Sequence, residues 1–226
     1  MTDITTIELK NIDSDDVSDV LVKVEKSFGF KFGKTELKDV NTFGELCDII
    51  TSKVQGDNSN DCTTQQAFYK LRNAISATLL IDKNIITTDT DLQELFPRHN
   101  RRQKIAAVES ELGFKTKILR PKYWITGTLA IILIASFIGL FIFWKVGLTS
   151  LIFSIVGFNL ATKFANELDL QTVGQIAEKI TRENYLTARR NPATVNKNEI
   201  AQKVKELFSK DLDLEESVLT RQATFV

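Results

Sequence analysis

Apolar residues recur three and four positions apart in three separate stretches of this chain. Val17, Val20, Leu21, Val24 and Phe28 form one stripe. Phe68, Leu71, Ile75 and Leu79 form a second, and Ile200, Val204, Leu207 and Phe208 a third. That spacing predicts amphipathic helices, each with one face to bury. Asp13 or Ser14 stands where the first helix needs a cap. Asp15 and Asp16 follow in its first turn, where the helix dipole favours negative charge. Asn196 with Glu199 makes a similar start for the last helix. The polar stretches QGDNSNDCTT and TARRNPATVN read as linkers.

Two runs break this amphipathic pattern. Trp124 to Trp144 carries no charge over 21 residues, about the length that crosses the hydrocarbon of a bilayer. A tryptophan stands at each end and Tyr123 beside the first, as in interfacial anchoring. After Lys145 comes Val146 to Thr162, 17 residues that either cross or lie in the interface. Lys145-Val146-Gly147 reads as a tight turn, so the two runs are expected to form a hairpin that returns the chain to the side it left. Lys115, Lys117, Arg120 and Lys122 crowd the approach, against Lys163 on the far side. Positive charge on the inner flank places both soluble parts in the cytoplasm. The opening MTDITTIELK lacks the basic and apolar regions of a signal peptide, which fits that assignment.

Compared with itself, the chain shows three recurrences. Residues 67–92 align without a gap on 200–225, a shift of 133. VEKSFGFK at 24–31 matches VESELGFK at 108–115, a shift of 84. NTFGELCDII at 41–50 matches QTVGQIAEKI at 171–180, a shift of 130. The rise in shift from 84 to 130 corresponds to about 46 residues inserted within the second unit, enough to hold the apolar runs.

Composition narrows the function classes. Over 226 residues, 29 basic side chains balance 29 acidic ones, which gives no global attraction to nucleic acid. Cys47 and Cys62 lack a CxxC pattern, and His99 is the one histidine, so neither a disulfide framework nor a zinc site is expected. No glycine-rich phosphate loop, GxSxG elbow or HExxH motif occurs, and the chain is not expected to be an enzyme.

With the elements laid out, the chain resembles the acyl and peptidyl carrier proteins, small helical bundles that hold intermediates on a phosphopantetheine arm. DSDDVSDVLVKVEKSFGF, from Asp13, is similar to the carrier signature DSLxxVEL followed by a helix and FGI. VNTFGELCDII is similar to the family's last helix. Residues 196–226 look like a carrier's first helix and the loop after it. The resemblance implies an all-α fold of two small carrier-like bundles plus a transmembrane hairpin, with one bundle circularly permuted. Residues 1–54 would hold helices two to four of the permuted bundle and 196–226 its first helix. Residues 64–122 and 163–186 would form the second bundle, interrupted by the hairpin at 123–162, with linkers at 55–63 and 187–195. Closing the permuted bundle places Phe225-Val226 near the N-terminal residues, and exchange of the helix between two chains would satisfy the same sequence as a swapped homodimer.

The resemblance also implies a site. Ser14 would take 4′-phosphopantetheine from a separate transferase, with Asp13 as the adjacent motif residue helping to bind that reaction's metal. A second partner would be an acyl-transferring or synthase enzyme. Asp13, Asp15, Asp16 and Asp19 fit a family whose partners present basic patches. Asp15 replaces the signature's leucine, and no glycine stands two residues before Asp13. The residues alone leave Ser14 open between an N-cap, contributing about 1 kcal/mol, and an attachment point. Shifting Ser14 by 84 lands on Arg98, so the second unit has no equivalent serine. Arg98, Arg101, Arg102 and Lys104 instead form a basic helix start, partner- or lipid-facing, expected to meet anionic lipid headgroups, the acidic helix of the first unit, or water. The function expected is a membrane-anchored carrier, the alternative an unmodified pseudo-carrier that scaffolds partners at the membrane. A channel subunit is disfavoured, because Lys145 at the turn is the one charge within the apolar region.

Overall fold

The computed structural model describes residues 12–225. Among them, ten α-helices account for most of the chain. In order the elements are α1 (Ser14–Phe28), α2 (Phe43–Lys53), β1 (Asp57–Asn58), α3 (Thr63–Leu79), α4 (Leu92–Leu95), α5 (Arg101–Leu112), β2 (Leu119–Arg120), α6 (Tyr123–Ile142), α7 (Trp144–Lys163), β3 (Glu167–Leu168), α8 (Val173–Glu183), α9 (Tyr185–Ala188), β4 (Thr194–Val195) and α10 (Lys197–Asp211). The fold is all-α apart from these two-residue strands. The chain divides into two compact units. One holds the described residues up to Asn73 together with Ala177 onward, the other Ala74–Ile176.

In the first unit α10 packs on both α1 and α2. Val20, Val24 and Phe28 of α1, Phe43, Leu46 and Ile50 of α2, and Ile200, Val204, Leu207 and Phe208 of α10 share one core. Those of α1 and α10 are stripe residues that helical spacing put on one face, those of α2 join them, and each is withdrawn from water. Asp13 caps α1 through its carboxylate, which accepts from the Asp15 amide. Asn196 caps α10 through the Asn198 amide at 3.1 Å. Glu199, expected to help that cap, turns away into a buried network.

That network joins the two stretches read as linkers. Asp57 and Asn58 pair in parallel with Thr194 and Val195. The Arg189 side chain is fully buried, 3.6 Å from the Glu199 carboxylate. It donates to the Asp61 carbonyl at 3.3 Å and to the Thr63 hydroxyl. The Tyr185 hydroxyl donates to Glu199 at 3.0 Å, and Thr63 donates to the same carboxylate. Tyr185 packs its ring 4.9 Å from Phe28, and its amide donates to the Ser27 hydroxyl at 3.0 Å. The last described segment is also tied down. The amides of Phe43 and Gly44 donate to the carbonyls of Ala223 and Arg221, and the Phe225 amide to that of Asn41. Gly44 is required there, since a Cβ would lie 2.7 Å from the Arg221 carbonyl oxygen. Val226 and residues 1–11 lie outside the described residues.

The second unit contains two helices long and apolar enough to cross a membrane, α6 and α7. At 1.5 Å rise per residue, 20 residues reach about 30 Å. Their outward side chains, including Phe137, Phe141 and Phe153, are exposed rather than packed in a protein core. The turn expected at Lys145-Val146-Gly147 is not formed. The chain reverses at Phe143 alone, with φ −135° and ψ 78°, and all three residues lie within α7. A Cβ on Gly147 would come 2.4 Å from the Leu140 nitrogen, and one on Gly157 would come 2.6 Å from a Leu129 methyl. Glycine therefore serves close packing of two antiparallel helices, not a turn. The second helix is also longer than the 17-residue run, because Trp144 and Lys145 open it. Where the hairpin ends, Leu119 and Arg120 pair antiparallel with Leu168 and Glu167, so both helices join the rest of the unit at one end.

Candidate functional site

Ser14 is the first residue of α1, and its hydroxyl is not the cap. The Asp13 carboxylate occupies that role at 3.0 Å from the Asp15 amide. This corrects the cap reading of Ser14 with a simple physical reason. Asp13 has extended backbone at φ −60° and ψ 134°, the geometry that aims a side chain at the first free amides of a helix, whereas Ser14 is already helical. The Ser14 side chain is exposed, and among the described residues its hydroxyl has no hydrogen-bond partner.

Beside it lies an apolar pocket of about 240 Å³ lined by Ile12, Ser14, Val17, Leu21, Leu37, Val40, Leu46 and Phe225. The walls come from five places: Ile12 ahead of α1, α1 itself, the loop between α1 and α2, α2, and the last described residue. Apolar cavities of about 150 Å³ suffice for a ring the size of benzene. This one has room for somewhat more, with a hydroxyl at its edge.

Three carboxylates hold the loop that carries Leu37 and Val40. Glu25 accepts from the Lys31 ammonium at 2.6 Å and the Phe32 amide at 2.7 Å. Glu36 accepts from the Gly33 amide and the Lys53 ammonium, both at 2.7 Å. Glu45 closes a capping box with Thr42 and accepts from the Asn41 amide at 2.8 Å. Burial raises the Glu25 carboxyl, but the hydrogen bonds from Lys31 and Phe32 outweigh it and leave it below its ordinary range. The Lys53 hydrogen bond, with the Gly33 amide, lowers Glu36, and the amides of Asn41 and Thr42 lower Glu45. Because the folded values lie below the unfolded ones, the ordering is complete above the ordinary glutamate value of about 4.3 and is lost as pH falls through the depressed values. In an acid titration followed by NMR, the amide shifts of Phe32, Gly33 and Asn41 are expected to move together with a midpoint below that value. A midpoint at or above it would show that the carboxylates do not hold the loop.

The other expected site residues divide between the units. Asp15, Asp16 and Asp19 are exposed on α1, and Asp15 places a carboxylate where the carrier signature has leucine. In the second unit the basic group is not the uniform surface expected. Arg101 is 6% exposed. Its guanidinium donates to the carbonyls of Phe96 at 2.9 Å and Asn166 at 2.7 Å, so it satisfies buried backbone instead of facing lipid. Arg98 pairs with Glu167 at 2.7 Å, and Lys104 donates to the Leu95 carbonyl at 3.2 Å. Arg102 is exposed, and its guanidinium reaches the Lys163 carbonyl at 3.0 Å. His99 is exposed.

The pocket itself is the feature that sequence reasoning missed. Its apolar side chains were visible individually, but Leu37 and Val40 lie in an irregular loop and Phe225 at the far end of the chain. Family models, curated proteins and solved structures give no match to this chain.

Proposed function

We propose that this chain is a membrane-anchored carrier-like protein in which Ser14 bears a 4′-phosphopantetheine arm and the apolar pocket beside it shelters a short acyl group. The observation that carries this reading is the Ser14 hydroxyl. It is freed from capping by Asp13, exposed, and set at the edge of a 240 Å³ apolar pocket. A nucleophile destined for a separate transferase has to be reachable, and an apolar chain tethered to it gains from a nearby place out of water. In the transfer, the Ser14 oxygen bonds the pantetheine-side phosphorus of coenzyme A, the hydroxyl proton leaves to base, and the nucleotide half departs. An acyl-loading or synthase enzyme would then exchange the group carried on the arm.

The reading of one bundle plan used twice has support from the internal bonding. In the first unit the amides of Phe43, Gly44 and Phe225 meet the carbonyls of Ala223, Arg221 and Asn41. In the second, those of Val173, Gly174 and Leu92 meet Thr90, Thr88 and Gln171, which lie at the offsets of 130 and 133 found by comparing the chain with itself. The Ser209 hydroxyl donates to Leu214 and the Ser76 hydroxyl to Ile81, again 133 apart. Glu25 holds Lys31 and the Phe32 amide as Glu109 holds Lys115 and the Thr116 amide, 84 apart. The first unit in this reading is a carrier bundle cut open and completed by α10. The second carries the hairpin as an insertion, with both soluble parts on the cytoplasmic side.

A second reading, an unmodified scaffold, gains from Arg101. It stands at the position of Val17 shifted by 84, so the second unit puts a buried guanidinium where the first has a pocket wall. Intact mass decides between them. The full chain, incubated with coenzyme A and a broad-specificity phosphopantetheinyl transferase, is expected to gain one phosphopantetheine, and Ser14→Ala none. Absence of any gain, with a known carrier modified in the same tube, would leave the scaffold.

A further inference from the structure

We infer that the groove at the foot of the hairpin binds the headgroup of an anionic phospholipid. The inference rests on the reading of α6 and α7 as membrane-spanning. The groove has a volume of about 540 Å³, within the size of small-ligand sites. Its floor is apolar, with Ile105, Ile118 and Ala165 all buried. The charged residues lining it are Arg102, Lys115, Lys117 and Lys163, four cations, against the single carboxylate of Glu109. That carboxylate is already engaged by the Lys115 ammonium at 2.9 Å and by the amide and hydroxyl of Thr116, both at 2.8 Å.

Position selects the occupant. Leu119 of the groove is four residues before the first residue of α6, and Lys163 is the last residue of α7. The Arg120 guanidinium lies 3.7 Å from the centre of the Tyr123 ring at the start of α6, the polar-on-aromatic pairing expected at headgroup depth. A phosphodiester here would meet guanidinium and ammonium groups, while its acyl chains continued along the exposed apolar faces of the two helices. Free phosphate would use the cations but not the apolar floor. A zwitterionic headgroup would bring its own ammonium into a groove already rich in cations.

The test uses the full chain in a non-ionic detergent and measures binding of a fluorescent phosphatidylglycerol, a matched phosphatidylcholine, and inorganic phosphate as competitor. Phosphatidylglycerol is expected to bind at least about tenfold more tightly than phosphatidylcholine, and Arg102→Gln/Lys163→Gln to remove most of that preference. Those two side chains are exposed and outside the unit's core, so the variant retains its fold, checked by circular dichroism. Equal binding of the two lipids, or preference unchanged in the variant, would overturn the proposal. So would full competition by millimolar phosphate, which would identify a phosphate site instead. Whether the chain stays in the membrane after alkaline extraction is scored separately. Release would sink the membrane reading, whereas retention with no lipid preference would sink this inference alone.

Discussion

Replacing Arg189 by methionine is expected to destabilise the first unit by about 3–5 kcal/mol, the effect of removing one partner from a buried ion pair. The arginine is fully buried and Glu199 partly so, with side-chain exposures of 0% and 16%. Without the guanidinium, Glu199 keeps its carboxylate among Tyr185 and Thr63 with no cation, and the Asp61 carbonyl is left with the longer bond from the Asn196 side-chain amide at 3.4 Å. Cys47 provides the measurement. It lies in the same core, and burial pushes its thiol up to about 12, so it reacts only when the unit opens. With exposed Cys62 replaced by serine, Arg189→Met is expected to accelerate labelling of Cys47 about a hundredfold or more. The neighbouring Arg190 is exposed and stacks on the Tyr69 ring at 5.2 Å, so Arg190→Met is expected to cost no more than about 1 kcal/mol. Comparable effects from the two arginines would contradict the network.

Phe208→Ala is the second large effect, also about 3–5 kcal/mol. The ring is fully buried, meets Phe43 edge-on at 5.3 Å, and lies 6.4 Å from Phe225. Its loss leaves a cavity where α10 meets α2 and loosens the wall of the Ser14 pocket that Phe225 supplies. The same labelling of Cys47 reports it. Val22→Ala serves as control, because Val22 lies on α1 in the same unit but is exposed. Labelling of Phe208→Ala at the rate of the parent would mean that α10 does not close this core. Labelling that slows as protein concentration rises would mean that α10 is exchanged between two chains, the alternative left open by the sequence.

How far the sequence could be read depended on the range of the interaction. The stripes on α1 and α10 and the cap at Asn196 follow from neighbours within one or two turns, and local spacing finds them. The hairpin was visible as hydrophobicity, but its turn was misplaced by one helical turn. Glycine at 147 looks the same whether it bends a chain or admits another backbone, and only Leu140 across the seam distinguishes the two. Arg189 and Arg190 are adjacent and identical in a stretch that reads as linker. One is buried by Asp61, Thr63 and Glu199 and the other is exposed, which no local pattern records. Ser14 was singled out as a candidate through the resemblance of DSDDVSDVLVKVEKSFGF to the carrier signature. The pocket was not, because its walls converge from both ends of the chain.

That convergence has a consequence for how the protein is made. Ser27 on α1 and its acceptor Arg182 are 155 residues apart, and α10 comes later still. A ribosome releases α1 and α2 long before the helix that covers them, and both apolar helices emerge in between. The early segments must therefore wait, incompletely covered, while the hairpin is synthesised, and their core can close only after that. A prematurely terminated chain would carry Ser14 without the Phe225 wall beside it. The pocket beside Ser14 can therefore assemble only once α10 and the segment through Phe225 have been made, which puts the closing of the first unit's core after the synthesis of the whole second unit.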